Sequence, residues 1–135
     1  MRRFRARKKG GQETGIQIAI LSYLNAIGVL AWRQSNHAVP MLIGGEIVYR
    51  KDNFRLRGVG DITGILYDGK RLEVEVKAKG KKQSDDQKYF ESLINENSGI
   101  YILAYSVDDV ENALRAKGYI IKDGRGVVCL NKSTK

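Results

Sequence analysis

Two carboxylates and a lysine, Asp61, Glu75 and Lys77, are the side chains of this sequence best suited to act together chemically. Residues 71–78 alternate charged and apolar types without a break, which is typical of a β-strand with one buried face. An earlier apolar run at 62–66 is followed by a Tyr-Asp-Gly-Lys tetrapeptide with turn chemistry. The stretch therefore predicts a β-hairpin with one core face and one face of carboxylates and lysine.

The register of this hairpin depends on the length of its loop. A two-residue type I′ loop would set apolar Ile62 opposite Glu75, so the two strands would disagree about which face is buried. A three-residue loop with Gly69 as the left-handed bulge residue sets Asp61 opposite Glu75 instead. All apolar residues then fall on one face. We therefore expect this register, with the two opposed Cβ atoms about 5 Å apart.

Two carboxylates held this close repel each other unless a cation lies between them, and a divalent metal is the usual cation. Mg²⁺ binds through one or two carboxylates, keeps several waters and lowers the pKa of a bound water. Lys77 could then orient or deprotonate the attacking water or stabilise a phosphate under attack. The alternative is a solvated charged surface with cross-strand ion pairs, on which Asp61 is a simple turn residue.

The arrangement resembles the D…(D/E)-x-K core of the PD-(D/E)XK nuclease superfamily, and more closely its virus-type replication-repair nuclease (VRR-NUC) branch. The likeness rests on an ordered set of motifs, Gly58-Val59-Gly60-Asp61, Glu75-Val76-Lys77, Gln87 and Glu13. The superfamily's proline before the aspartate is absent because Gly60 stands there, at a position that varies in this branch. The likeness extends from Glu13 to about Leu114 and implies a restriction-endonuclease-like fold.

The resemblance implies a metal-dependent DNA endonuclease. Asp61 and Glu75 would hold Mg²⁺ or Mn²⁺, the main-chain carbonyl of Val76 would complete the shell, and Lys77 would assist in-line attack of water on a phosphodiester. Stand-alone VRR-NUC proteins of similar length resemble phage recombination nucleases that act as homodimers on branched DNA. A chain with one site cuts two strands symmetrically only as a two-fold dimer. We therefore expect a homodimeric Holliday junction resolvase, with a flap or general structure-specific nuclease and a non-catalytic basic DNA-binding module as alternatives.

Two supporting residues each have a structural alternative. The resemblance implies that Glu13 approaches the metal directly or through water, but a first-turn acid also interacts favourably with a helix dipole. It likewise implies that Gln87 fixes Lys77 or the water. Residues 84–87 have the spacing of a capping box, so Gln87 could instead close the N-terminus of a helix with Ser84.

The formal net charge of +9, from 24 Lys and Arg against 15 Asp and Glu, favours a polyanionic partner. Nucleic acid is the first candidate and an anionic membrane surface the second. A single cysteine and a single histidine exclude an internal disulfide, a zinc finger and a histidine-based triad. No apolar run has the length of a membrane span or the features of a signal peptide, so we expect an intracellular protein. If phage-encoded, it would act in the cytoplasm or nucleoid of a bacterial host.

Basic residues that could bind the phosphate backbone occur in three places: the N-terminal block, a ribbon before the catalytic strand, and the turn after it. Each could equally be a solvated side chain or a partner for an acid. The candidates are Arg5, Arg7, Lys8, Lys9, Arg55, Arg57, Lys79, Lys81 and Lys82.

The chain as a whole predicts one domain at 12–130 with a basic flexible tail at 1–11 and a polar tail at 131–135. The predicted class is α/β, a mixed sheet flanked by helices. The predicted elements are a helix at 12–27, a strand at 29–33, a loop at 34–45, an alternating segment at 46–57 turning at 51–53, the site hairpin, a helix at 85–97, a central strand at 100–105, a helix from 106 to 117 and a closing hairpin at 119–130.

Overall fold

The structure, a computed structural model, describes residues 11–34, 40–49, 56–122 and 126–129, with the backbone alone at residue 49 and at 126–129. The two tails and the predicted turn at 51–53 lie outside these residues. The helices are α1 (Gln12–Ala26), α2 (Asp85–Glu96) and α3 (Val107–Ala116). The strands are β1 (Leu30–Arg33), β2 (Pro40–Ile43), β3 (Glu46–Tyr49), β4 (Ile62–Ile65), β5 (Arg71–Val76), β6 (Ile100–Ala104), β7 (Tyr119–Lys122) and β8 (Gly126–Cys129).

Four strands form the main sheet in the order β1-β4-β5-β6. The first two pairings are antiparallel, and β6 runs parallel to β5 after a crossover through α2. The pairs β2-β3 and β7-β8 form separate two-stranded hairpins. The α/β class with a mixed sheet flanked by helices is confirmed.

The hairpin of β4 and β5 has the predicted register, with Ile62 opposite Val74. Its loop closes where Leu66 N–H donates to the Lys70 carbonyl over 2.9 Å. Gly69 has φ +84°, the left-handed conformation that a three-residue loop requires at this position. Continuing the register by one residue sets Asp61 opposite Glu75.

The core lies between one face of the sheet and helices α1 and α3. Leu72 and Val74 point to this face and are fully buried together with Ile20 and Leu24 of α1 and Leu114 of α3. Fully burying one apolar side chain of this size contributes about 1.5–3 kcal/mol to the stability of the fold.

The opposite face of β5 is also buried, and here the prediction of a half-buried strand was wrong. Glu73 is fully buried and Glu75 is 4% exposed. Helix α2 covers this face, since Phe90 is buried and stacks edge-on against Tyr101 of β6 with ring centroids 6.3 Å apart. The alternative of a solvated ion-pair surface therefore does not describe these two acids.

Two further predictions were wrong. Residues 34–45 were expected to be a loop, but β2 pairs with β3 around a turn at Gly44 and Gly45, both with positive φ. The apolar run at 41–43 is thus a strand rather than part of a loop. The strand at 100–105 was expected to be central, but among the described strands β6 is the edge of the sheet. Its continuous apolar sequence reflects helices on both faces, since α2 and α3 both pack against it.

Helix boundaries follow local capping chemistry. Helix α2 begins with the predicted capping box of Ser84 and Gln87. It ends before Ser98, which adopts a left-handed φ of 63°. Helix α3 is capped by Ser106 and followed by Gly118 at φ 94°. In the part of the chain that the structure describes, every helix is too short or too polar to cross a membrane.

Candidate active site

The centre of the candidate site is the pair of Asp61 and Glu75. Asp61 precedes β4, and its Oδ2 accepts a hydrogen bond from the Val76 N–H of β5 over 2.8 Å. The hairpin register sets Asp61 opposite Glu75, and the negative charge of Asp61 acts on the Glu75 carboxyl. The two acids therefore lie on neighbouring strands at the same end of the strand pair.

Burial, and after it the neighbouring charge of Asp61, raise the pKa of the Glu75 carboxyl to about 8 against the lowering effect of the Lys77 charge. Burial likewise raises the pKa of Asp61, against the lowering effect of the Val76 N–H. Ionising both acids would place two negative charges in a desolvated site, which opposes the ionisation of Glu75.

Lys77 and Gln87 both approach the same oxygen of Glu75. Gln87 Nε2 donates to Glu75 Oε1 over 2.7 Å, and Lys77 Nζ lies 3.7 Å from that oxygen with only 16% of its side chain exposed. Gln87 Oε1 accepts at the same time from the Ser84 N–H over 2.8 Å. Gln87 therefore closes the capping box and also contacts Glu75. That it fixes Lys77 or the water stays a prediction.

Glu13 lies beside the site on the first turn of α1. Its Oε1 accepts from the Ala78 N–H over 3.2 Å and pairs with Lys81 Nζ at 3.3 Å. The Ala78 hydrogen bond lowers the pKa of Glu13, which keeps this carboxylate charged. Glu13 thus ties α1 to the turn that follows β5, and its negative charge acts on both Asp61 and Glu75.

A second buried acid, Glu73, was not singled out from the sequence as a site residue. Its Oε1 accepts from Thr63 Oγ1 over 3.0 Å and from Arg71 Nε over 2.7 Å. Burial raises the pKa of Glu73 in spite of both contacts. The sequence could have shown that Glu73 lies beside the site, because strict alternation puts it on the same face as Glu75. The predicted register also sets Thr63 across from it.

A polar network around Tyr101 was also missed. Tyr101 OH accepts a hydrogen bond from Gln83 Nε2 over 3.2 Å, and the same nitrogen donates to Glu91 Oε2 over 2.9 Å. Burial raises the pKa of Tyr101, as do the charges of the nearby acids. Only the parallel pairing of β6 with β5, which aligns Tyr101 with Glu73, brings this group to the site.

The glycines of the lead-in motif are required by close packing. A Cβ at Gly60 would lie 2.9 Å from Glu73 Oε2 and 3.1 Å from the Val74 carbonyl oxygen. Gly58 has φ +72°, and a Cβ there would overlap the main-chain carbonyl of Asp86. A proline at position 60 would meet the same obstruction.

Asp61 and Glu75 are the two acids of the site that could hold a divalent cation. Within the described ranges no three or more Asp, Glu, His or Cys side chains form a group that could hold a metal. Glu75 Oε2 is nevertheless buried without a hydrogen-bond partner among the described residues. Two carboxylates with an unsatisfied oxygen fit Mg²⁺ or Mn²⁺, which complete their shells with waters. A carbonyl ligand from Val76 stays a prediction.

Four of the proposed phosphate-binding residues lie on the described surface. All four are exposed, although Lys81 is also paired with Glu13. Lys79, Lys81 and Lys82 lie in and beside the turn that follows β5. This turn is closed by a hydrogen bond from the Lys81 N–H to the Ala78 carbonyl and by Gly80 at φ +85°. The four are Arg57, Lys79, Lys81 and Lys82, whereas Arg5, Arg7, Lys8, Lys9 and Arg55 lie outside the described residues.

Comparison with known proteins yields no relative. No family model matches the chain, and neither any curated protein nor any solved structure is significantly similar to it.

Proposed function

We propose that this chain is a metal-dependent DNA endonuclease of the PD-(D/E)XK type, similar to the VRR-NUC branch. The observation that carries the proposal is the buried Glu75 carboxyl, which lies across the hairpin from Asp61 and is approached by both Gln87 and Lys77. Such a pair of desolvated carboxylates beside a shielded lysine is costly to a fold that does not use it.

Each residue of the site would have a distinct role in the reaction. Asp61 and Glu75 would hold Mg²⁺ or Mn²⁺, and the bound metal would supply an acidified water and charge compensation at the phosphate. Gln87 fixes the Glu75 carboxyl by its 2.7 Å hydrogen bond. Lys77, with its Nζ 3.7 Å from Glu75 Oε1, would orient a water or contact a phosphate oxygen.

DNA is the proposed substrate because the chain carries a net charge of +9 and exposes Lys79, Lys81 and Lys82 in the turn directly after the site. A four-way junction cut by a homodimer is the proposed form of that substrate. Leu42 and Ile47 of the β2-β3 hairpin are 76% and 65% exposed, and an apolar surface of this kind suits a second copy. A flap or general nuclease would keep every role at the site and change only the DNA.

The test is cleavage of end-labelled four-way junction, flap and duplex DNA with Mg²⁺ or Mn²⁺, using Lys77→Ala beside the wild type. Lys70→Ala is the matched control, since it removes one positive charge from the far end of the same hairpin. We expect paired symmetric nicks in the junction that Lys77→Ala abolishes and Lys70→Ala retains.

Each other outcome has its own meaning. Cleavage of flaps in preference to junctions would keep the nuclease and replace the substrate. Binding of DNA that survives Asp61→Ala, with no cleavage in either metal, would contradict the proposal and favour a non-catalytic DNA-binding module.

A further inference from the structure

Glu73 lies on the site side of β5, two residues before Glu75, and has no role in the proposed chemistry. Its side chain is fully buried. Removing a carboxylate from water costs several kcal/mol unless its partners compensate for the lost hydration. An apolar residue would suit a buried strand position better, so the contacts of this acid indicate what it does.

The two oxygens of the Glu73 carboxylate face different segments. Oε1 accepts hydrogen bonds from Thr63 Oγ1 in β4 and from Arg71 Nε. Oε2 lies against Gly60, where an added Cβ would come within 2.9 Å of it, and this oxygen has no hydrogen-bond partner among the described residues. One side chain thus contacts both β4 and the segment that leads into it.

These two contacts flank Asp61. Gly60 immediately precedes it and Thr63 follows two residues later. Regular pairing of β4 with β5 begins only at Ile62, and the Asp61 carbonyl accepts a hydrogen bond from the Gln34 N–H over 2.9 Å on the β1 side. The Asp61 side chain is held at its outer end by the Val76 N–H. On the β5 side, Glu73 contacts the residues that flank Asp61, the Thr63 side chain by a hydrogen bond and Gly60 by close packing.

We propose that Glu73 is a positioning residue that holds the backbone on either side of Asp61 and so keeps the Asp61 carboxylate against Glu75. This inference deepens the proposed function and rests on it, since a fixed Asp61 serves the binding of a cation by the pair. Glu73 contacts no reacting atom and acts through Thr63 and Gly60. Arg71, with 55% of its side chain exposed, compensates the buried charge from the surface.

The test compares amide hydrogen exchange at two neighbouring residues of the full chain. The Val76 N–H donates to Asp61, whereas the Lys77 N–H donates to β6 and serves as an internal control. Glu73→Leu replaces the carboxylate with an apolar side chain of similar size. We expect exchange at Val76 to accelerate about two- to tenfold relative to Lys77, the effect of about one hydrogen bond. Glu73→Gln, whose amide oxygen still accepts from Thr63, should restore the wild-type ratio.

A purely structural role predicts a different pattern. Val110→Ala, which truncates a fully buried side chain of α3, lowers global stability without contacting the Asp61 segment. It should accelerate exchange at Val76 and Lys77 equally. If Glu73→Leu does the same, the positioning role is refuted. Should Glu73→Leu fail to fold, Thr63→Val removes the same hydrogen bond with Glu73 in place, and the same selective acceleration is expected.

A calorimetric titration with Mn²⁺ separates this inference from the proposed function. If both are correct, the wild type binds Mn²⁺ and Glu73→Leu binds it about two- to tenfold more weakly, by the same hydrogen-bond argument. A wild type that binds no Mn²⁺ contradicts the proposed function, while the ratio of the two exchange rates still decides the role of Glu73.

Discussion

Replacing Glu75 with glutamine should stabilise the metal-free protein, and the gain should grow with pH. The folded state holds a proton on Glu75 up to a pKa of about 8, whereas the unfolded chain releases it near the ordinary value of 4.5. A carboxyl whose pKa is raised by folding contributes most below its unfolded pKa, and that stability is lost as pH rises toward the folded pKa. Glu75→Gln mimics the protonated form and does not ionise.

The size of the effect follows from the same two pKa values. A shift from 4.5 to about 8 is equivalent to about 5 kcal/mol of unfolding free energy once pH exceeds both values. Between about pH 5 and about pH 8.5 the difference between Glu75→Gln and wild type should therefore widen by about 4 kcal/mol. The glutamine amide can still accept the Gln87 hydrogen bond, so little packing is lost.

Urea unfolding in EDTA across this pH range measures the difference directly. Glu96→Gln, an exposed acid at the end of α2, serves as a control whose difference from wild type should not change with pH. If the difference in unfolding free energy between Glu75→Gln and the wild type is also independent of pH, burial does not hold a proton on Glu75, and the explanation of the pair is wrong.

Three further changes test other parts of the site. Gly60→Ala should lower the unfolding free energy in urea by about 1–3 kcal/mol, because its Cβ would collide with Glu73; an unchanged midpoint would contradict this packing. Glu13→Gln should free Lys81 from its ion pair, so that the DNA-binding constant falls more steeply with salt, by the equivalent of about one phosphate contact. An unchanged salt dependence would mean that Lys81 does not contact DNA. Leu42→Asp should reduce the dimer fraction in light scattering, and an unchanged dimer would place the interface elsewhere.

The site hairpin could be predicted from the sequence because its constraints are local. Ile62 and Val74 had to share a buried face, and only a three-residue loop with Gly69 in the left-handed region satisfies that requirement. The capping box of Ser84 and Gln87 is likewise encoded within four residues. These local rules set Asp61 opposite Glu75 and Gln87 at the start of α2, whereas the place of Gln87 in the site was expected only from the resemblance.

The burial of Glu73 could not be predicted in the same way. Alternation along β5 assigns Glu73 to a polar face but contains no information about what covers that face. Helix α2 covers it through Phe90, and this packing depends on a crossover between segments distant in sequence. A continuous apolar run such as β6 is equally consistent with a central strand and with an edge strand between two helices.

The β2-β3 hairpin was misassigned for a related reason. Met41, Leu42 and Ile43 do not alternate with polar residues, because both faces of β2 are apolar and exposed in the described chain. Without a period-two pattern, the turn at Gly44 and Gly45 was the only local sign of a hairpin. The glycine pair was instead assigned to the end of a loop.

The central claim, that Asp61 and Glu75 together hold a divalent cation, is tested most directly by titrating Mn²⁺ into the full chain above the pKa of Glu75. The account predicts saturable binding that is lost in Asp61→Asn and in Glu75→Gln and is retained in Asp108→Asn, an exposed acid of α3. Binding that is equal in all four proteins, or no binding in the wild type, would contradict it.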